Sequence, residues 1–187
     1  VGIKNIIYVG NHGLEIEGQG IKFRIPVSPR SREAIRNVYK IITDKLSRIK
    51  GVLIEDKGLA ISAHCRMVDN KDVPEFKRIF RKITAPFVMR GKIKITEGKK
   101  VLEIKPPVKW TKGSAVLWLL ARQKSALREN KVFPVYLGDD ITDEDVFRAL
   151  KNRGLTIFVG KPRKSYAQYY LENTSGLTDP QVIFDGR

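Results

Sequence analysis

The sequence predicts an α/β protein: a doubly wound parallel sheet, incomplete within these residues, with an α+β unit inserted into it. Three observations point there. Residues 14–104 run as two strands, a helix, two strands, a helix and two strands, the order of a compact unit with a mainly antiparallel sheet. Lys105-Pro106-Pro107 then interrupts the pattern. Beyond it helix and strand alternate one for one, which calls for parallel strands and crossover helices. We therefore divide the chain into a core of residues 1–13 and 107–187 and an inserted unit of residues 14–106.

Each element has its local reason. Ile6-Ile7-Tyr8-Val9, closed by Gly10, is a short continuous apolar run and reads as a buried strand, a candidate member of the parallel sheet. Residues 14–17 and 21–27 alternate, with Gly18 and Gly20 between them, as a hairpin-like pair does. Ile35, Val38, Ile42, Leu46 and Ile49 recur at helical spacing. They predict a helix over 29–50, with Ser28 as cap, Pro29 at the first helical position and Gly51 as stop. Residues 52–55 and 59–64 read as strands joined at Asp56-Lys57-Gly58. Phe76, Ile79, Phe80 and Ile83 share one face of a helix over 74–83, and 93–96 pairs with 101–104 around Glu97-Gly98. The last segment predicts helices over 113–125, 143–152 and 165–171 and strands over 132–137 and 155–159.

Composition narrows the function. Of 187 residues, 42% are hydrophobic and 30% charged, too apolar for a disordered chain. No run approaches the roughly 18 apolar residues of a membrane span. The single cysteine, Cys65, precludes an internal disulfide and reads as a buried thiol; with only His12 and His64, a histidine-based metal site has no basis. The first residues lack a basic segment leading into an apolar one, so no secretory signal is expected, and the cysteine count leads us to expect a reducing, cytoplasmic setting. They also lack a methionine, so residue 1 is not expected to be the natural start. The net charge is +16, from 36 lysines and arginines against 20 acids. Such a field attracts anions, yet the basic residues are spread along amphipathic elements, as on a solvated face. No nucleic-acid recognition motif is present. The oligomeric state is left open.

The informative segment is Gly138-Asp139-Asp140-Ile141-Thr142-Asp143-Glu144-Asp145, acidic in a cationic protein. Thr142 suits an N-cap, with Asp145 in capping-box position and Asp143 to Asp145 in a first helical turn favoured by the macrodipole. Asp139 and Asp140 need another reason. They close an apolar strand at its carboxyl end, where open α/β sheets place ligands, and adjacent carboxylates there call for a cation. An oxygen-rich site completed by water and phosphate suits Mg²⁺. One step earlier, Lys112-Gly113-Ser114 sets an ammonium at the start of a helix whose N–H groups face the same way, a seat for phosphate. Together the two segments suggest Mg²⁺-dependent phosphoryl chemistry.

These residues resemble a known family. Tyr8-Val9-Gly10-Asn11-His12-Gly13-Leu14-Glu15-Ile16, Glu55-Asp56-Lys57-Gly58-Leu59 with His64 and Arg66, Val101-Leu102-Glu103-Ile104-Lys105-Pro106, Lys112-Gly113 with Val116-Leu117-Trp118-Leu119-Leu120, and the acidic block are similar to trehalose-6-phosphate phosphatases. That family belongs to the haloacid-dehalogenase-like superfamily. The resemblance implies a Rossmann-like core with an inserted α+β cap, and a sugar phosphate as substrate. It implies an aspartate that attacks phosphate to form an aspartyl-phosphate, a second aspartate two residues on as acid/base, and Mg²⁺ as cofactor. Lys112 would stabilise the nucleophile and the phosphoryl group; Asp139 would hold the metal with Asp140 and Asp143 in support. Asn11, His12, Arg66 and Glu103 match cap positions near the sugar. Lys105 stands where members often carry arginine, and a lysine offers no bidentate fork. The Asp-x-Asp-Gly-Thr motif of the nucleophile does not occur. It is expected upstream of Val1, so the 187 residues alone are expected not to turn over trehalose 6-phosphate. The alternative from another class is a catalytically inactive basic module that binds nucleic acid or acidic surfaces.

Overall fold

The computed structural model describes residues 3–127, 132–161, 163–174 and 185–186. It divides the chain into two units: Val1–Phe23 with Trp110–Arg187, and Arg24–Lys109. The division falls ten residues later than expected on the amino-terminal side, because the first strands fold with the carboxyl-terminal segment.

Those strands are β1 (Tyr8–Gly10), β2 (Glu15–Gly18) and β3 (Ile21–Arg24), in that order in one small sheet. The expectation that residues 6–9 join the parallel sheet is overturned: β1 pairs antiparallel with β2, Val9 opposite Ile16. Four residues separate the two strands, enough for an antiparallel return and too few for a parallel crossover. Ile16, Ile21, Phe23 and Ile7 pack instead with Trp110, Ala115, Trp118 and Leu119, the Phe23 and Trp118 rings stacked at 4.7 Å.

In the second unit the helix α1 (Pro29–Leu46) starts as the sequence directs, Ser28 Oγ accepting from the Ser31 N–H. It stops at Leu46, before Gly51; residues 47–51 turn back through the Ile49 N–H to Leu46 and Val52 N–H to Ile49 carbonyls. β4 (Leu53–Asp56), β5 (Ile61–His64), α2 (Val73–Met89), β6 (Lys94–Gly98) and β7 (Val101–Lys105) follow. The sheet order is β4-β5-β7-β6 with every pairing antiparallel. Ile61, Ala63, Leu102 and Ile104 face Ile35, Val38, Ile42, Leu46, Phe76 and Phe80 in one core that also buries Cys65. Each fully buried isoleucine, valine, leucine or phenylalanine among them contributes roughly 1.5–3 kcal/mol. α2 outruns its expected end at 83 and carries Pro86 within it.

The first unit resumes with α3 (Lys112–Leu127), β8 (Val135–Gly138), a 3₁₀ turn at Ile141–Asp143, α4 (Glu144–Leu150), β9 (Leu155–Val159), β10 (Tyr169–Leu171) and β11 (Asp185–Gly186). β8, β9 and β10 are parallel, as the alternation requires, and β11 joins antiparallel. No helix forms over 165–171, and its last three residues are the strand β10: Tyr169 registers with Ile157 and Leu171 with Val159. Gln168 ties it to β9 by accepting from the Thr156 N–H at 3.1 Å. Aromatic residues favour that pleated position, and sheet pairing overrides their helical spacing. Tyr170 packs on Phe147 and Phe158, whereas Tyr166 is exposed beneath Arg148.

Candidate active site

The acidic segment leaves β8 at its carboxyl end, and its geometry is organised by Asp143. Gly138 makes that possible. A Cβ at Gly138 would lie 2.5 Å from the Asp143 Cβ and 2.6 Å from its Cγ, so only glycine lets the carboxylate fold back over the strand. Asp143 Oδ1 accepts from the Lys112 ammonium at 2.8 Å and from the Tyr136 hydroxyl at 2.7 Å. Oδ2 accepts from the backbone N–H groups of Asp139 at 3.1 Å and Asp140 at 3.0 Å. Asp143 is 4% exposed. Burial pushes its pKa up, but the bonds from Lys112, Tyr136 and the Asp140 N–H, with the charge of Lys112, outweigh that and hold it below the ordinary carboxylate value. The Tyr136 hydroxyl is pushed well above its ordinary pKa, first by burial, then by its bond to Asp143 and by the charges of Asp143 and Asp139.

The cap of this turn differs from the expected one. Asp140, extended, is the N-cap of the 3₁₀ turn and forms a reciprocal box with Asp143, in place of Thr142 with Asp145. The short turn inserted before α4 moves the cap two residues back. Asp140 accepts from the Ile141 N–H at 2.6 Å and from the Thr142 hydroxyl at 3.3 Å. The Asp139 carboxylate is exposed and makes no hydrogen bond or ion pair with any described residue.

The first unit thus brings Lys112, Asp139, Asp140 and Asp143 together, one carboxylate linking the start of α3 to the end of β8. It does not gather the three aspartates as one metal cluster: among the described residues no group of three or more histidine, cysteine or acidic side chains has that arrangement. The four lone-pair directions of Asp143 are already taken by four donors. Asn11 and His12, matched to cap positions in sequence, belong to this same unit. They form a 3₁₀ turn with left-handed backbone, φ 50° and 56°. The Trp110 indole N–H donates to the Gly13 carbonyl at 2.7 Å, and a Cβ on Gly13 would meet Ala115 at 2.7 Å, so the turn is pinned against the first turn of α3. The Asn11 amide donates to the Glu15 carboxylate.

Glu103 and Arg66 lie in the second unit. Glu103 sits on the sheet face away from the helices and accepts from Ser62 at 3.4 Å and Thr96 at 3.3 Å, with Lys105 Nζ at 2.7 Å. Burial depresses the Lys105 pKa; Glu103 opposes this only in part, and Lys94 and Lys57 add to the depression. Arg66 is exposed just past β5.

A family model for trehalose-phosphatase matches residues 1–175. The chain belongs to the trehalose-phosphatase family. Trehalose-phosphate phosphatase B of Arabidopsis thaliana is 37% identical over 189 residues, covering 94% of this chain and 49% of its own length. The crystal structure of a trehalose-6-phosphate phosphatase related protein superposes with a TM-score of 0.66 at 23% identity, over 85% of this chain and 62% of that one. The C-terminal domain of the C. albicans trehalose-6-phosphate phosphatase gives 0.64 at 22% identity, over 87% of this chain and 64% of that one. The chain spans about half the length of the curated relatives it matches. The expected fold class, a Rossmann-like α/β core with an inserted α+β unit, stands.

Two residues of this candidate site escape sequence reasoning. Tyr136 looks like one more member of an apolar strand, and only the alternation of Val135 and Leu137 about it hints that it faces the other way. Gly138 reads as a strand end; its role as the seat of a carboxylate needs the coordinates. The donor set fits a magnesium ion better than a zinc: one exposed carboxylate, Asp139, without a hydrogen bond or ion pair to a described residue, and no gathered nitrogen or sulfur ligands among the described residues.

Proposed function

We propose that the complete protein to which this chain belongs is a Mg²⁺-dependent sugar-phosphate phosphatase that hydrolyses trehalose 6-phosphate. The observation that carries this is the Asp143 carboxylate, which ties the Lys112 ammonium and the Asp139 strand end into one charged edge in a chain of the trehalose-phosphatase family. Asp139 holds the metal. Bound there, Mg²⁺ supplies positive charge to orient the phosphate and stabilise it during transfer. Lys112, fixed by Asp143, presents an ammonium to the transferring phosphoryl oxygens. Asp140 caps the turn and Asp143 positions both neighbours. Asn11, His12, Arg66 and Glu103 remain the residues proposed to contact the sugar.

The nucleophile requires a further strand. β8 is the outer strand of its sheet among the described residues, and Val135 and Leu137 on one face are 53% and 39% exposed. An apolar edge strand left open in this way is a template for pairing. We infer that a parallel strand from elsewhere in the complete protein pairs with β8 and ends beside Asp139, carrying the attacking aspartate. The test is phosphate release from trehalose 6-phosphate by the full-length protein, with and without Mg²⁺, against Asp139→Asn. We expect Mg²⁺-dependent turnover that the substitution lowers at least 100-fold. An active Asp139→Asn protein refutes the assignment, and robust turnover by the 187 residues alone refutes the need for a further strand.

A further inference from the structure

We propose that the solvent-facing groove between α1 and α2 docks an acidic amphipathic helix of a partner protein. The phosphatase reading leaves the strong basic excess of the sequence without a role, and these two helices carry nine lysines and arginines against three acids. The groove lies wholly within the second unit and measures about 590 Å³. Its floor is apolar: Ile41, Ile49, Ile79 and Ile83, of which Ile41 is 39% exposed.

The walls are charged and unevenly compensated. Lys45 is paired with Asp44 at 2.9 Å, and Arg78 clasps Glu75 at 2.8 and 2.6 Å. Arg48 on one wall and Lys82 on the other make no hydrogen bond or ion pair with any described residue. Lys82 therefore stands without an acidic partner among the described residues on one side of the isoleucine floor, and on the other Arg48 and Lys45 share the single carboxylate of Asp44. Exposed pairs such as Lys45–Asp44 contribute little to stability and exchange readily for a partner's carboxylates.

That combination selects the occupant. Ile79 and Ile83 lie one turn apart on α2, about 6 Å, with Ile41 on α1 and Ile49 in the turn after it, a stripe that apolar residues at i, i+4 and i+7 of a docked helix would cover. Glutamates or aspartates on either flank of that stripe meet Arg48 and Lys82. A second copy of this chain is the wrong partner, since its net charge of +16 repels the same walls. Nucleic acid would leave the isoleucine floor unused, and the groove offers no aromatic ring for a base.

The experiment uses the full chain and a labelled probe peptide of about 18 residues, with leucine at i, i+4 and i+7 and glutamate on both flanks. Binding is read by fluorescence anisotropy. We expect saturable binding that weakens at least tenfold in the Arg48→Glu, Lys82→Glu double variant and several-fold in Ile41→Ser. We also expect a peptide of the same composition with its leucines scrambled to bind at least tenfold more weakly. Far-ultraviolet circular dichroism confirms that the variants fold, and Ile41→Ser with the scrambled peptide keeps the test decisive if the charge reversal does not. Equal binding of the scrambled peptide overturns the proposal, as does indifference to all variants. Stronger saturable binding of duplex RNA or phosphatidylserine vesicles at the same residues also overturns it, in favour of that ligand.

Discussion

Replacing Asp143 by asparagine tests the hub of the site while keeping its shape. The carboxylate has two acceptor oxygens facing four donors; the amide has one, and turns its N–H₂ toward either the backbone pair or Lys112 and Tyr136. Hydrogen bonds to a charged group are worth about 1.5–3 kcal/mol each, and breaking a buried pair costs about 3–5 kcal/mol. The Lys112 side chain keeps 29% of its exposure and rehydrates once released, so we take the lower end, about 3 kcal/mol. With a urea m-value of roughly 1–3 kcal/mol/M the midpoint falls by roughly 1–3 M. Both tryptophans, Trp110 and Trp118, lie in the unit that holds Asp143, so indole fluorescence follows that unit's unfolding. The pH dependence has a definite sign. The folded pKa of Asp143 is held below its unfolded value near 3.8, so its stabilisation is complete above that pH and disappears as pH falls through the folded value. The gap between the two proteins is therefore full at pH 7 and closes in strong acid. Equal midpoints at pH 7, or a gap unchanged at pH 3, would refute the reasoning.

Gly138→Ala should act through the same carboxylate, since its Cβ would fall within 3 Å of three Asp143 atoms. We expect a loss of about 2–3 kcal/mol in urea, and a double variant with Asp143→Asn no less stable than the weaker single one, because both remove one network. Trp110→Phe deletes the donor that holds the Gly13 carbonyl and should cost about 1 kcal/mol, measured by the remaining tryptophan. Asp139→Asn, which changes a carboxylate that makes no bond to a described residue, should leave the unfolding free energy from urea titration within about 0.5 kcal/mol of the parent. A large destabilisation there would mean that Asp139 has a structural partner.

How far the sequence could be read depends on whether the deciding force is local. Ser28, Pro29 and the isoleucine spacing place α1, because a cap and an amphipathic stripe act within a few turns. Gly138 to Asp145 marks the charged edge, because closely spaced acids need a cation wherever they fold. The spacing of residues 165–171 predicts a helix, whereas pairing with β9, which local propensity does not encode, makes Tyr169 to Leu171 a strand. Residues 6–9 read as a strand, but a four-residue apolar run carries no information about which strand it pairs with, and Val9 lies opposite Ile16. The task of Asp143 was invisible for a related reason. Position suggests a first-turn acid and the family resemblance a support for the metal ligand Asp139, whereas the four donors that Asp143 accepts from come from α3, β8 and the turn itself.

The most direct measurement is a crystal structure of the complete protein soaked in Mn²⁺, located by its anomalous signal. An ion about 2.0–2.2 Å from an Asp139 carboxylate oxygen, with Asp143 still bonded to Lys112 and to the Asp139 and Asp140 N–H groups, is the expected result. An ion ligated by Asp143 with Lys112 turned away, or an ion elsewhere with Asp139 bare, would contradict it.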